Sequence, residues 1–583
     1  MIQGRPMARL TWCTIQGYKS IRDPITIQFP EGMPLVLIGE NNAGKSNIVS
    51  ALDLVLGESW PGTREPEDHD FWGRDPQTGS IRMEVGLSGV FHPKTGQPVT
   101  ALLWQYDPHD EEGILFRGNV DGQWKFVSND LRNQLIAVTI GADRRLSYQL
   151  SYSSKYTLLS KLMRKFHTAL VSDPNRVERL KVAFKTLEDI FREVEEFAKF
   201  EAGLAEQFGE MFAGMSYGLQ VDFSAYDPSR FFHSLRVVPK EGNERRTFDE
   251  LGTGQEQILA LAFAHAYARA FYGGIVLIIE EPEAHLHPLA QRWLARQIRQ
   301  MCEDGLQVIL TTHSPAFIDI LGLEGLVLVR KKNSATYVRQ LSREELAGYC
   351  IAYGSHPSKT SPDTILPFYA AHATEEILSG FFAKAIVLVE GPTEFLALPV
   401  YLRRVGLDVT RAGIAIIPVM GKGNLAKWWR LFTAYGFHVY VIFDNDTRDD
   451  KNATHRNDIL STIGVNDPKE IDEAINTEEW LIKDTYCVFG KDFEQCLRAT
   501  FGDEYKSLEN AARDMFGDSK PIIARYVAEQ LTGIKNGWPK VQQLRDKIMA
   551  MVTKQDDSSV ENGQHYEDVQ EEFPGDFWDD VPF

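Results

Sequence analysis

Leu35-Val36-Leu37-Ile38 is an all-apolar run that breaks without a spacer into Gly39-Glu40-Asn41-Asn42-Ala43-Gly44-Lys45-Ser46, a complete P-loop. A buried strand, a glycine-rich turn and a helix are expected in that order. Together they aim consecutive backbone N–H groups and a helix N-terminus at one phosphate group. Apolar residues at helical spacing place the helix over 47–56. A second pattern of this kind lies far downstream. Ala385-Ile386-Val387-Leu388-Val389 runs into Glu390-Gly391-Pro392-Thr393-Glu394, and Val439-Tyr440-Val441-Ile442-Phe443 runs into Asp444-Asn445-Asp446. Strands that end in phosphate-binding or acidic residues set the fold class as α/β.

A chain of 583 residues is long enough for two or more domains. Its net charge of −19 argues superficially against nucleic acid, but more than half of it follows Lys554, where Lys and Arg are absent. The remainder is mildly acidic and can carry local basic faces. No apolar run reaches the ~20 residues that span a bilayer, so no membrane partner is expected. The N-terminal residues lack a signal-peptide core, which makes the cytoplasm the expected location. Five scattered cysteines have no metal or disulfide spacing and read as reduced, mostly buried thiols.

Within the P-loop, the backbone of Gly39, Asn42 and Gly44 would wrap the phosphates of ATP. Lys45 would bridge the outer phosphates and Ser46 would ligate Mg2+. Ile275-Val276-Leu277-Ile278-Ile279 ends in Glu280-Glu281-Pro282-Glu283. An acid at a strand end is placed for the Mg2+ shell and the next for the attacking water, so Glu280 and Glu281 are assigned these roles. Val308-Ile309-Leu310 leads to Thr311-Thr312-His313, where His313 is placed to sense the γ-phosphate. Leu251-Gly252-Thr253-Gly254-Gln255 resembles the signature motif of ABC ATPases. The resemblance implies a head like those of structural-maintenance-of-chromosomes and RecF-like proteins. It also implies a head-to-head homodimer in which Gly252, Thr253, Gly254 and Gln255 close over ATP on the opposite protomer. The signature has Gly-Thr in place of the usual Ser-Gly, and Glu280 stands where Asp is usual; both changes can slow hydrolysis.

The second acidic pattern clusters carboxylates at neighbouring strand ends, where a hard divalent cation relieves their repulsion. It resembles the Toprim domain. An ABC head followed by Toprim resembles the OLD (overcoming lysogenization defect) nuclease family, which includes the Gabija nuclease subunit and retron effectors. Ile15-Gln16-Gly17-Tyr18-Lys19-Ser20-Ile21 also matches the family's opening strand and turn. Carried over by motif, Glu390, Asp444 and Asp446 are catalytic metal ligands and Glu394 is a further ligand. Glu494 of Asp492-Phe493-Glu494 holds a second metal, and Lys520 of Lys520-Pro521 stabilises charge in the transition state. The cofactors implied are ATP and Mg2+, with Mn2+ as an alternative at the Toprim site.

The expected organisation is an ATPase head over 8–155 and 215–340, interrupted at 156–214 by a helical insertion that serves as a dimerisation arm or a core hairpin. A connector at 341–382, a Toprim nuclease domain at 383–553 and a disordered acidic tail at 554–583 follow. The expected function is an ATP-regulated, metal-dependent DNA endonuclease in anti-phage defence. The alternative is a DNA-repair or chromosome-associated ATPase whose Toprim unit binds nucleic acid without cutting it. Expected partners are DNA, a homodimer or higher homo-oligomer, and a helicase or retron RNA–DNA element. Gly421-Lys422-Gly423-Asn424 is a candidate phosphate-approaching loop, with Lys427 and Arg430 as candidate contacts to a DNA backbone. Trp428 and Trp429 are expected to pack rather than stack on bases. The last residues, Asp579-Asp580-Val581-Pro582-Phe583, resemble the C-terminal tip of single-stranded-DNA-binding proteins, which implies partners that read that tip.

Overall fold

A computed structural model describes residues 8–57, 60–63, 65–110, 113–132, 134–141, 170, 172–195, 240–241, 244–245, 274–284, 286–447, 450–532 and 538–557. The signature motif at 251–255 and the acidic tail beyond 557 lie outside these residues, as does most of the expected helical insertion.

In chain order the strands are β1 (Arg9–Gln16), β2 (Ile25–Gln28), β3 (Leu35–Ile38), β4 (Ile81–Ser88), β5 (Val99–Tyr106), β6 (Ile114–Val120), β7 (Gln123–Phe126) and β8 (Leu135–Ile140). They continue with β9 (Lys240–Glu241), β10 (Glu244–Arg245), β11 (Gly274–Glu280), β12 (Gln307–Thr311), β13 (Leu326–Lys332) and β14 (Ala335–Gln340). The last five are β15 (Ala385–Val389), β16 (Ile414–Pro418), β17 (His438–Asp444), β18 (Leu481–Ile482) and β19 (Tyr486–Phe489). The helices used below are α1 (Lys45–Leu56), α2 (Pro174–Arg192), α3 (Pro288–Glu303), α4 (Pro392–Arg404), α5 (Lys422–Ala434), α6 (Phe493–Phe501) and α7 (Lys520–Gln530).

Among the described residues, β2-β1-β4-β5-β6-β7 form an antiparallel sheet. A second sheet has the order β14-β13-β3-β12-β11-β8, with β13, β3, β12 and β11 parallel. The third has the order β16-β15-β17-β19-β18, parallel except at β18. β3, β12 and β15 are buried at every position, as strands covered on both faces require. Their continuous apolar runs therefore mark the middle of parallel sheets, and polarity appears only where each strand ends.

Residues 140–272 form a compact unit of their own. Its described elements include α2 and the short antiparallel β9–β10 pair. On α2, Val182, Leu187 and Ile190 are exposed. No described helix is long and apolar enough to cross a membrane.

The second and third sheets meet at Arg330 of β13. Its side chain is only 5 % exposed, and its guanidinium donates to the carbonyls of Ala383 (3.2 Å) and Gly436 (3.3 Å). It also lies 3.8 Å from the centre of the Phe437 ring, a cation–π contact in a desolvated place. Arg339 of β14 adds a bond to the Ala434 carbonyl at 3.2 Å. Ala383 lies two residues before β15 and Gly436 two residues before β17, so one guanidinium holds the entry to both strands that carry the downstream acids. Arg330→Met leaves the enclosed Ala383 carbonyl and the half-exposed Gly436 carbonyl without this donor and should cost about 2–4 kcal/mol. Thermal unfolding of the full chain checks this. Arg330→Lys should recover only part of the loss, because an ammonium lacks the planar fork that reaches both carbonyls.

Candidate functional sites at two sheet edges

The P-loop edge is built by the order of the second sheet. β3 lies between β13 and β12, and β11 is next beyond β12. Gly39 follows β3 with φ of 139°, and a Cβ there would stand 2.1 Å from the Val329 carbonyl oxygen. Gly44 caps α1 with φ of 113°, and a Cβ there would meet Thr336 Oγ1 at 2.2 Å. Both positions demand glycine on conformation and on space. Thr336 of β14 donates to the Ala43 carbonyl at 2.8 Å and pairs with Ser20 at 2.7 Å. Asn47 of α1 donates to Ser20 Oγ at 2.6 Å. The opening turn at 17–21 thus braces the P-loop from behind.

Lys45 is 6 % exposed, and its ammonium donates to the carbonyls of Gly39 and Glu40, each at 2.9 Å. Burial pushes its pKa down to about 8, although Glu281, Glu283 and Glu40 favour the charge. Ser46 is exposed at the start of α1 and Asn42 takes a left-handed conformation. On the neighbouring strands Glu280 ends β11 opposite Thr311. Glu281 follows with φ of 49°, and its N–H donates to the Thr311 carbonyl at 3.0 Å. Its carboxylate stands 3.9 Å from His313 Nε2. Burial, and then Lys45, push the His313 pKa down, against the pull of Glu281. These assigned residues therefore gather at one edge.

Glu283 was not singled out in the sequence. Its carboxylate accepts from Thr312 Oγ1 (2.8 Å) and the His313 N–H (2.5 Å), which fixes the loop that presents His313. Its position in an acidic string was visible, but its anchoring role was not.

The second edge lies where β15 and β17 run side by side in parallel. Glu390 follows β15, and its Oε1 accepts the Asp444 N–H at 2.7 Å. Asp444 ends β17, and its Oδ2 accepts the Phe493 N–H at 3.2 Å. Its Oδ1 is buried with no hydrogen-bond partner. Glu394, in the first turn of α4, is 6 % exposed and accepts the Gly391 N–H at 3.0 Å. Asp492 caps α6 by accepting the Gln495 N–H at 2.7 Å, and Glu494 in the first turn stands 3.6 Å from Lys520 Nζ. The Asp446 carbonyl accepts from Lys422 Nζ at 3.1 Å.

Burial raises the pKa of Glu390, Asp444, Glu394 and Glu494, and charge repulsion from neighbouring acids adds to it. Glu394 is pushed up to about 7. Among the described residues, no group of three acidic, histidine or cysteine side chains is arranged to hold an ion as it stands. Two observations nevertheless fit a divalent cation. A buried carboxylate oxygen lacks a donor, and four acids are held where each opposes its neighbours' ionisation. The donor set is all oxygen, as hard cations require. Glu390, Asp444, Asp446, Glu394 and Glu494 are the residues that would hold it.

The neighbouring loop corrects one expectation. Arg430 is 3 % exposed and committed to Asp458 (2.7 Å), Thr462 (2.6 Å) and the Tyr353 carbonyl (2.8 Å), so it does not track a DNA backbone. Lys427 Nζ lies 3.8 Å from the Phe368 ring centre. Trp428 is fully buried against Tyr369 and Phe432, and Trp429 meets Tyr353, so both pack as expected.

Comparison with known proteins finds a family match in each of the two regions that carry these edges. Residues 35–319 match the AAA_21 family, an AAA domain associated with the AbiEii toxin of type IV toxin–antitoxin systems. Residues 381–446 match the TOPRIM domain of overcoming lysogenization defect protein-like sequences. The chain is thus similar to proteins of the OLD family. It is 28 % identical to the OLD nuclease of Thermus scotoductus, over 74 % of this chain and 81 % of that one. The Old nuclease of Escherichia phage P2 is 23 % identical, over 81 % and 83 %. Endonuclease GajA of Bacillus cereus is 21 % identical, over 51 % and 46 %. The pairing of ATPase and Toprim domains implies use of a nucleotide and of a divalent metal.

The raised acids make stability depend on pH. A carboxyl whose pKa is higher folded than unfolded stabilises fully below its unfolded pKa, and that stabilisation is lost as pH rises through the folded value. For Glu394, the rise from 4.5 to about 7 corresponds to about 3 kcal/mol. The metal-free protein in chelator should therefore melt at lower temperature as pH is raised from about 5 to about 8, and Mg2+ should restore most at the upper end. Glu394→Gln should flatten the metal-free slope. An equal slope in that variant would remove Glu394 from the cause.

Proposed function

We propose that this protein is an ATP-regulated, metal-dependent DNA endonuclease whose cutting centre is the β15–β17 edge and whose nucleotide site is the P-loop edge. The observation that carries the reading is the meeting of Glu390 and Asp444 at parallel strand ends, with one buried Asp444 oxygen unpaired. A divalent ion held there, Mg2+ or Mn2+, supplies charge neutralisation and an acidified water for phosphodiester hydrolysis. Glu390, Asp444 and Asp446 are its primary ligands. Glu394 and Glu494 extend the set towards a second ion, and Lys520 beside Glu494 faces charge that develops on the phosphate.

At the P-loop, Lys45 would exchange the Gly39 and Glu40 carbonyls for phosphate oxygens. Ser46 and Glu280 hold the nucleotide's metal, Glu281 orients water and His313, 3.9 Å from Glu281, senses the γ-phosphate. Gly252, Thr253, Gly254 and Gln255 would complete this site from a second protomer. The reading places the protein in the cytoplasm as a homodimer or higher oligomer acting in anti-phage defence, with a helicase or retron RNA–DNA element as a further partner.

Asp444→Ala should abolish Mg2+- or Mn2+-dependent cleavage of supercoiled DNA while ATP binding persists. Metal-dependent cutting at the wild-type rate by this variant would sink the assignment. Lys45→Ala should lose ATP binding. Glu281→Gln should bind ATP, hydrolyse it slowly and accumulate a closed dimer, as read by nucleotide binding, turnover and light scattering.

The acidic segment 554–583 carries a separate part of the proposal, recruitment by proteins that read the single-stranded-DNA-binding tip. A peptide of residues 571–583 should bind such a protein, and removal of Phe583 should abolish that binding. Failure to bind any of them would favour an autoinhibitory role for the segment.

A further inference from the structure

Lys422 is built into the acidic edge rather than laid over it. Gly421 has φ of 123°, and its N–H donates to the Glu390 carbonyl at 2.8 Å. Asn424 closes the same loop by donating to the Val419 carbonyl at 3.0 Å. The backbone that carries Lys422 is thus fixed to the backbone of Glu390. From there the ammonium donates to the Asp446 carbonyl (3.1 Å) and lies 3.5 Å from Glu390 Oε1. The Lys422 side chain is 11 % exposed. One cation therefore touches the segments that follow both β15 and β17.

We propose that the Lys422 ammonium is a resident counter-ion of the metal-free edge, occupying the divalent ion's side of Glu390 and yielding it when the ion binds. This inference rests on the reading of the edge as a metal site. An oxygen-bound divalent ion sits about 2.0–2.6 Å from its ligands, and the Lys422 nitrogen is already 3.5 Å from one oxygen of the Glu390 carboxylate that such an ion would share. Two cations cannot share that oxygen without strong repulsion across a poorly solvated gap. Without either cation, Glu390 would face Asp444 and Asp446 uncompensated. Lys520, beside Glu494, is different in kind. Its side chain is 58 % exposed, so it can swing into solvent without breaking an enclosed contact. Lys422 is enclosed and is bonded to the Asp446 carbonyl as well as near Glu390. It is a positioning residue: it keeps the two strand ends in register until the ion arrives.

The test is Mn2+ binding to the full chain, without nucleotide or DNA, followed by electron paramagnetic resonance. Asp444→Ala identifies the signal that belongs to this edge. Lys422→Gln and Lys422→Met should bind Mn2+ more tightly, on the order of tenfold, because the competing cation is gone. A scaffold role alone predicts weaker binding. In the wild-type chain, Mn2+ should raise the acetylation rate of Lys422 several-fold in an amine-footprinting experiment, which gives a reading even if the variants fail to fold. Equal or weaker Mn2+ binding by the folded variants overturns the inference, as does a Lys422 that Mn2+ protects from acetylation. If the wild-type chain has no Asp444-dependent Mn2+ signal, the metal-site reading falls with it. If that signal is present and the Lys422 variants leave it unchanged, only the counter-ion fails.

Discussion

A single desolvated guanidinium joins the nucleotide edge to the acidic edge. β13 alternates its residues between two faces, as any strand does. Val329 sets its carbonyl against Gly39 of the P-loop, and the next residue, Arg330, grips the carbonyls ahead of β15 and β17. The entry to both acid-bearing strands is thus fixed one residue away from the turn that would hold phosphate. Burying a cation this deeply is costly, and its pKa is pushed down by desolvation. The cost is offset by two carbonyl bonds and an aromatic face, and the outcome is a joint of defined geometry. A slippery apolar contact in the same place would hold the two sheets together without fixing their register.

The two edges solve opposite electrostatic problems with one architectural device. Parallel strands deliver their ends to the same side of a sheet, where the next residues are released from pairing and can turn towards a ligand. At the P-loop the enclosed charge is the Lys45 ammonium, with Glu40, Glu281 and Glu283 around it. Lys45 is enclosed and, among the described residues, donates its hydrogen bonds to two carbonyls, so a phosphate would gain from a charge already stripped of water. At the acidic edge the charge is negative and crowded, so a divalent cation gains in the same way. Both edges are carried on a backbone held elsewhere. Thr336 and Ser20 brace the P-loop, while Phe493 and Gly391 brace the acids.

Much of this was legible in the sequence because buried parallel strands write themselves as unbroken apolar runs. β15 is found over the very residues of its run, and β3, β11, β12 and β17 differ from theirs by no more than a residue or so at the ends. Each assigned residue that immediately follows such a run could therefore be placed at a sheet edge. What stayed hidden was every partner brought in from a distance. Thr336 is a polar residue in an ordinary hairpin strand until the fold sets it behind Ala43. Arg330 reads as the start of a basic strand end, Arg330-Lys331-Lys332, with nothing to say that the first of the three is buried. Arg430 misled for the same reason: a basic residue beside two tryptophans looks available for DNA, yet its charge is spent on Asp458. Local pattern reports which face a residue occupies, but not which remote group waits there.

The spacing of Asp444 and Asp446 shows how a middle residue can matter more than its exposure suggests. β17 ends at Asp444, so strand alternation alone no longer fixes where Asp446 goes. Asn445 takes over that task. It is buried, and its amide donates to the carbonyls of Ala474 (2.9 Å) and Thr477 (3.0 Å), while its own N–H donates to the Phe489 carbonyl at 2.9 Å. Behind it, Arg456 and Asp450 form an enclosed pair at 3.0 Å, and Asp450 also accepts the N–H groups of His455 (3.0 Å) and Arg456 (3.2 Å). The segment after the strand is thereby fastened on the side away from Glu390. Two acids that repel each other would otherwise gain by separating, and a free loop would allow it. Fastening the asparagine between them removes that escape, so the repulsion is kept at the edge, where a cation can relieve it.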